Sequence, residues 1–178
     1  MLIKTIFSGF GGQGVIMMGY LLAMAGMYEE KNVTCLPSYG AEVRGGTANC
    51  TVVISTEEIA SPVASEPDYA VFMNNPSLLR FQNQVQSGGT IFLNSSMIES
   101  KPVRGDLEIF EIPVNDLAKQ IQENKVTNMI MLGAFIKKSG LVSFETIVRV
   151  LKEIFGSKNP AVLKSNKSAL LLGYNYLE

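Results

Sequence analysis

The chain opens on an apolar, β-prone run, Leu2 to Phe7. It passes through a glycine-rich break into a second apolar run with helical character, from about Gly12 to Glu29. A second strand is predicted over Asn32 to Leu36, ending at Pro37, and Ser38 to Gly46 reads as a loop of small residues. Ala48 to Ser55 is β-rich, centred on Cys50-Thr51-Val52-Val53-Ile54. The turn-forming Glu66-Pro67-Asp68 precedes a short apolar strand, Tyr69 to Met73. Asn75-Pro76-Ser77 predicts a helix through about Gln84, with Asn75 as cap and Pro76 at the first helical position. Ser87-Gly88-Gly89 closes that unit, and strands follow at Thr90 to Asn94 and Leu107 to Ile112. Asn115 is expected to cap a helix through about Asn124. Asn128 to Ser139 has apolar residues at helical spacing, with Asn128 a candidate cap, and stops at Gly140. Ser143 opens a further helix ending near Gly156, and Asn159-Pro160 opens the last one.

Strands alternating with helices predict an α/β fold. The expected form is a Rossmann-like three-layer sandwich with a mainly parallel sheet, helices on both faces and a helical C-terminal third. Residues 1–178 read as a single domain with no internal repeat, low-complexity segment or long linker. In such a sheet, ligands and partners gather at the carboxyl ends of the strands.

Composition then excludes function classes. The chain has no histidine, which removes Ser-His-Asp and Cys-His catalysis and most zinc sites. Two cysteines, Cys35 and Cys50, cannot alone ligate an iron–sulfur cluster, which takes four thiolates. Both lie in apolar, strand-like context and are expected as small buried hydrophobes, a disulfide being disfavoured in a cytoplasmic chain. A net charge of −1 carries no electrostatic footprint for nucleic acid. The longest apolar run, Val15 to Met27, is broken by Gly19, Tyr20 and Gly26 and is too short to span a membrane. No secretory leader pattern opens the chain, so a cytoplasmic location is expected. The nine methionines are expected to fill core gaps or a partner surface.

Candidate chemistry sits in two stretches. In Ser8-Gly9-Phe10-Gly11-Gly12-Gln13-Gly14, the residues Gly9, Gly11 and Gly14 fit the spacing G-x-G-x-x-G between a strand and a helix. Glycine permits the sharp turn and a close backbone approach, and the N–H groups opening the helix form a natural anion site. A tight turn packing helix on strand, a seated phosphate and a partner backbone all fit this stretch. Classical dinucleotide binding fits poorly. It calls for an acid at the end of the second strand, whereas Thr34-Cys35-Leu36-Pro37-Ser38 holds none. Glu29 and Glu30 come too early and are expected on a solvated surface.

The second stretch is Leu36-Pro37-Ser38-Tyr39-Gly40-Ala41-Glu42-Val43-Arg44-Gly45-Gly46. An extended segment places Glu42 and Arg44 on one side, and Arg44 suits bidentate capture of a carboxylate or phosphate. An exposed loop with a weak ion pair is the alternative. Losing Arg44 from a desolvated anion site would cost on the order of 2–5 kcal/mol, and from an exposed rim about 0–1 kcal/mol. Asn74 and Asn75 follow the Tyr69 to Met73 strand and are candidates for a polar pocket at the same edge.

Together GFGGQG, LPSYGAEVRGGTANCTVVIS, MNNPSLLRF and VTNMIMLGAF resemble the gamma subunit of 2-oxoacid:ferredoxin oxidoreductases over essentially the whole chain. The form PSYG-x-E-x-RGG with MNNPSL is closer to the 2-oxoglutarate and branched-chain 2-oxoacid branch than to the pyruvate branch. The resemblance implies an accessory subunit, inactive alone, of an enzyme that oxidatively decarboxylates a 2-oxoacid. The products are acyl-CoA, carbon dioxide and reduced ferredoxin. It implies alpha and beta partner subunits, delta where present, and ferredoxin reached through the complex. Thiamine diphosphate, Mg2+ and iron–sulfur clusters are then expected on those partners. Coenzyme A is a candidate ligand at the interface, and no catalytic or metal-ligating residue is expected on this chain. The candidate cofactor or interface residues are Gly9, Gly11, Gly12, Gln13, Gly14, Tyr39, Glu42, Arg44, Gly45, Gly46, Asn74 and Asn75. A stand-alone nucleotide-binding protein and a ligand-free assembly module are the alternatives.

Overall fold

The computed structural model describes residues 1–40, 46–122, 125–156 and 159–177. Its strands are β1 (Leu2–Phe10), β2 (Asn32–Tyr39), β3 (Thr47–Ser55), β4 (Tyr69–Phe72), β5 (Thr90–Asn94) and β6 (Glu108–Ile112). Its helices are α1 (Val15–Tyr28), α2 (Asn75–Phe81), α3 (Val114–Gln120), α4 (Thr127–Ser139), α5 (Phe144–Phe155) and α6 (Pro160–Tyr176), with a 3-10 turn at Gln82–Gln84 after α2. They form one six-stranded sheet in the order β2-β3-β1-β4-β5-β6.

The pairs β1–β4, β4–β5 and β5–β6 are parallel, as the alternation of strands and helices predicts. β3 departs from it. With no helix between them, β2 and β3 pair as an antiparallel hairpin, and β3 also pairs antiparallel with β1. β2 therefore points the same way as β1 but lies two strands away, at the sheet edge.

Alternating side chains divide the core into two layers. On one face Phe7, Val71 and Phe92 meet α1 and the helices α3 to α6. Phe135 of α4 stands edge-on to Phe7 at 5.4 Å and to Phe92 at 5.3 Å between ring centroids, a favoured aromatic geometry. On the other face Ile6, Phe72 and Ile91 meet Leu78 and Phe81 of α2. Helices thus cover both faces, unequally.

Several boundaries shift for physical reasons. β1 runs on to Phe10 and β2 to Tyr39 because each pairs with the start of β3, Phe10 with Thr47 and Tyr39 with Ala48. The α2 cap is Asn74, whose Oδ1 accepts from Ser77 N at 2.9 Å, and Pro76 takes the second helical position. Asn115 does not cap α3, which begins after Pro113; its Oδ1 accepts instead from Asn94 Nδ2 at 2.8 Å. Nor does Asn128 cap α4, which follows Val126. Ser143 and Asn159 cap α5 and α6 as expected, and Gly140 ends α4 in the left-handed region. Cys50 is fully buried, but Cys35 is exposed, because β2 is an edge strand with little above it. Glu29 is not simply solvated: it accepts from Ser143 N at 2.7 Å and pairs with Lys31 at 2.8 Å.

Candidate functional site

β1 leads through α1 toward β2, while β4 leads through α2, on the opposite face, toward β5. The chain thus changes direction between the carboxyl ends of β1 and β4, where open α/β sheets leave a crevice. Gln13 fills it. Its Oε1 accepts from Phe10 N at 2.6 Å and from Asn74 Nδ2 at 3.0 Å, and its Nε2 donates to Met73 O at 3.1 Å. Gly9 leaves the room for this, since a Cβ there would sit 2.7 Å from Gln13 Oε1. Gly14 adopts φ +74°, and a Cβ on it would stand 2.3 Å from Asn128 Nδ2, so this glycine admits the start of α4. Gly12 (φ +97°) faces open space.

The two predicted stretches meet. Gly11 N donates to Gly46 O at 3.0 Å, and Gly40 N to Thr47 O at 2.7 Å. Tyr39, at the end of β2, is 70% exposed. Asn75 adjoins the Gln13–Asn74 network, its Oδ1 accepting from Ser100 N at 3.3 Å. Glu42, Arg44 and Gly45 lie outside the described residues.

Two clefts flank the glycine turn. One, of about 430 Å³, is apolar, with Phe10, Ile16, Met17, Tyr20 and Tyr39 in its walls. The other, of about 390 Å³, is polar, lined by Gly12, Gln13, Gly14, Lys125, Thr127 and Asn128. At this second cleft the N-termini of α1 and α4 converge, neither capped by a side chain, and Lys125 adds a positive charge. Such an arrangement favours an anion. Sequence reading missed Lys125 and Thr127 because they lie over 100 residues from the glycine turn; the glycine at position 14, beside a helix-opening Asn128, was the one available signal.

Because β3 intervenes, the end of β2 stands about 10 Å from β1, twice the usual strand spacing. An acid there would be poorly placed for a ribose on the glycine turn. Among the described residues no three His, Cys, Asp or Glu side chains cluster to hold a metal ion, and no helix is long and apolar enough to cross a membrane.

The sequence profile of the pyruvate ferredoxin/flavodoxin oxidoreductase family matches residues 4–176. The chain belongs to that family. It is 36% identical over 134 residues to the ketoisovalerate oxidoreductase subunit VorA of Methanothermobacter marburgensis, covering 75% of this chain and 28% of that one. It is 32% identical over 170 residues to the 2-oxoglutarate synthase subunit KorC of Methanocaldococcus jannaschii, covering 94% of this chain and 89% of that one. Its fold recurs in the 2-oxoglutarate:ferredoxin oxidoreductase of Magnetococcus marinus, solved with 2-oxoglutarate, coenzyme A and succinyl-CoA bound. There the TM-score is 0.90 at 24% identity, over 98% of this chain and 30% of that one. The chain thus spans 28% of the length of the ketoisovalerate relative, and almost all of the 2-oxoglutarate synthase subunit. The family resemblance read from GFGGQG and MNNPSL is borne out.

Proposed function

We propose that this chain is the gamma-type unit of a 2-oxoacid:ferredoxin oxidoreductase of the 2-oxoglutarate and branched-chain branch. The whole enzyme converts a 2-oxoacid, coenzyme A and oxidised ferredoxin into acyl-CoA, carbon dioxide and reduced ferredoxin. In relatives the same unit is either nearly a whole chain or part of a longer one, which supports a division of labour between this unit and the rest of the enzyme. Alpha and beta subunits, and delta where present, supply thiamine diphosphate, Mg2+ and the iron–sulfur clusters. Thiamine diphosphate provides the carbanion chemistry when bound there.

The observation that carries the reading is the paired cleft at the carboxyl edge. Coenzyme A joins anionic phosphates to a long, uncharged arm of amides and methylenes, and the edge offers a polar cleft with a lysine beside an apolar-walled one. Lys125 and the uncapped ends of α1 and α4 would hold phosphate, and the wall of Ile16, Met17, Tyr20 and Tyr39 would lie along the arm. Gly11 and Gly12 keep the backbone between them bare. Gln13, already bound to β1 and β4, fixes the turn against both strands.

Titration calorimetry of the assembled enzyme with coenzyme A tests this. Lys125→Ala is expected to weaken binding by about 1.5–3 kcal/mol, roughly ten- to a hundredfold in Kd. Unchanged affinity and turnover in that variant would remove coenzyme A from this edge and leave a purely structural role.

A further inference from the structure

The cysteines were expected to be inert filling, but they face each other. Cys35 Sγ and Cys50 Sγ stand 3.4 Å apart on adjacent strands. The register pairs Cys35 with Val52 and Pro37 with Cys50, so the two thiols are diagonal neighbours on the sheet face that α1 covers. Their environments are opposite. Cys50 is fully buried beneath α1, with its sulfur where a Cβ on Gly19 would come within 2.4 Å. Glycine is a poor helix former, and here it makes the room this thiol occupies. Cys35 lies on the edge strand and is exposed. The hydrogen bond from Cys50 draws its thiol down to about 7, against the smaller upward push of burial, while Cys50 is driven up by the same bond and by burial.

We infer that Cys35 and Cys50 form a reversible dithiol–disulfide pair, in which Cys35 is the attacking thiol and Cys50 the resolving one. A low-molecular-weight disulfide is the oxidant. The Cys35 thiolate attacks one of its sulfurs, forming a mixed disulfide and releasing one thiolate, which takes up the Cys35 proton. Cys50 then gives up its proton and attacks Cys35 Sγ, forming the Cys35–Cys50 bond and releasing the second thiol. Two protein thiols are oxidised, one external disulfide is reduced to two thiols, and atoms and electrons balance. The sulfurs must close by about 1.4 Å to reach bonding distance. β2 can make that shift because its backbone is paired on one side only, to β3. The buried thiol meets no other electrophile, so the reaction is directed to its neighbour.

The test uses the full chain, glutathione disulfide as probe, and intact-mass and peptide mass spectrometry, with the chain otherwise handled under reducing, oxygen-free conditions. The expected product is an intramolecular disulfide, two hydrogens lighter than the starting chain and restored by dithiothreitol. In Cys50→Ala or Cys50→Ser the reaction is expected to stop at a glutathione adduct on Cys35, and in Cys35→Ser the folded chain is expected to take no adduct. Three wild-type outcomes would overturn the inference: a persistent adduct on Cys35 beside reduced Cys50, adducts on both cysteines, or no reaction. Because the wild-type product alone decides, a misfolded variant would not leave the matter open.

Discussion

Gln13 does at the sheet edge what a ligand does in many folds of this class: it occupies the crevice beyond the carboxyl ends of β1 and β4 and satisfies groups at both. The glycine spacing around it was legible, but spacing alone does not say what the glycines make room for. Gly9 admits the Gln13 side chain, and Gly14 admits Asn128 while holding φ +74°. Gly14→Ala should therefore combine left-handed backbone strain with a clash against α4. A loss of about 1–3 kcal/mol is expected in chemical denaturation, larger than for Gly12→Ala, whose position is strained but open. The neighbouring asparagines show where local rules run out. Asn74 and Asn75 are equal as caps on paper, and Pro76 argued for Asn75. Asn74 takes the role because its Nδ2 is also held by Gln13, 61 residues away.

Elements dock through contacts that no local pattern announces. α4 and α6 cross at Gly133 and Gly173, where a Cβ on Gly173 would come within 1.8 Å of Ile130 O and one on Gly133 within 2.1 Å of Leu170 O. The two helices touch backbone to backbone. Gly173→Ala should force them apart and destabilise the chain by about 1–3 kcal/mol, measured as a lowered denaturation midpoint with an unchanged slope. α1 meets α5 through Glu29, which accepts from the Ser143 amide at the start of α5. Burial pushes the Glu29 carboxyl up, but hydrogen bonds from Lys31, the Ser143 amide and Thr146 outweigh it and hold it below the ordinary glutamate value. A carboxyl held low in the folded state stabilises fully above its unfolded value of about 4.3, and loses that contribution as pH falls through the folded value. Glu29→Gln should therefore cost stability at neutral pH and flatten the acid-side fall in stability below about pH 5, read from urea midpoints across pH. Helix starts marked by a short polar cap, as at Ser143 and Asn159, were legible. The β2–β3 hairpin was legible only in the absence of a helix between those strands, which the expectation of a mainly parallel sheet obscured.

At the scale of the molecule, α1 is apolar nearly all round, yet Tyr20 and Met27 stand 45% and 58% exposed on it. A helix of that kind belongs in an interior, so its outer face fits burial against another subunit. The same face borders the apolar cleft beside the glycine turn. Fold class, the shared edge of the two glycine stretches and the family were readable from residue order, because glycine turns and capped helices leave local marks. The polar cleft was not, because it arises where α4, far along the chain, is laid beside the start of α1. On the function proposed above, this chain contributes an edge for docking and coenzyme A while its companions carry the redox machinery. The most direct measurement is 2-oxoacid-dependent, coenzyme A-dependent ferredoxin reduction, assayed for the purified chain and for the chain recombined with its alpha and beta subunits. No reduction is expected from the chain alone, even when supplied with thiamine diphosphate and Mg2+, and full activity is expected on recombination. Turnover by the single chain, or activity of the companion subunits without it, would overturn that division of labour.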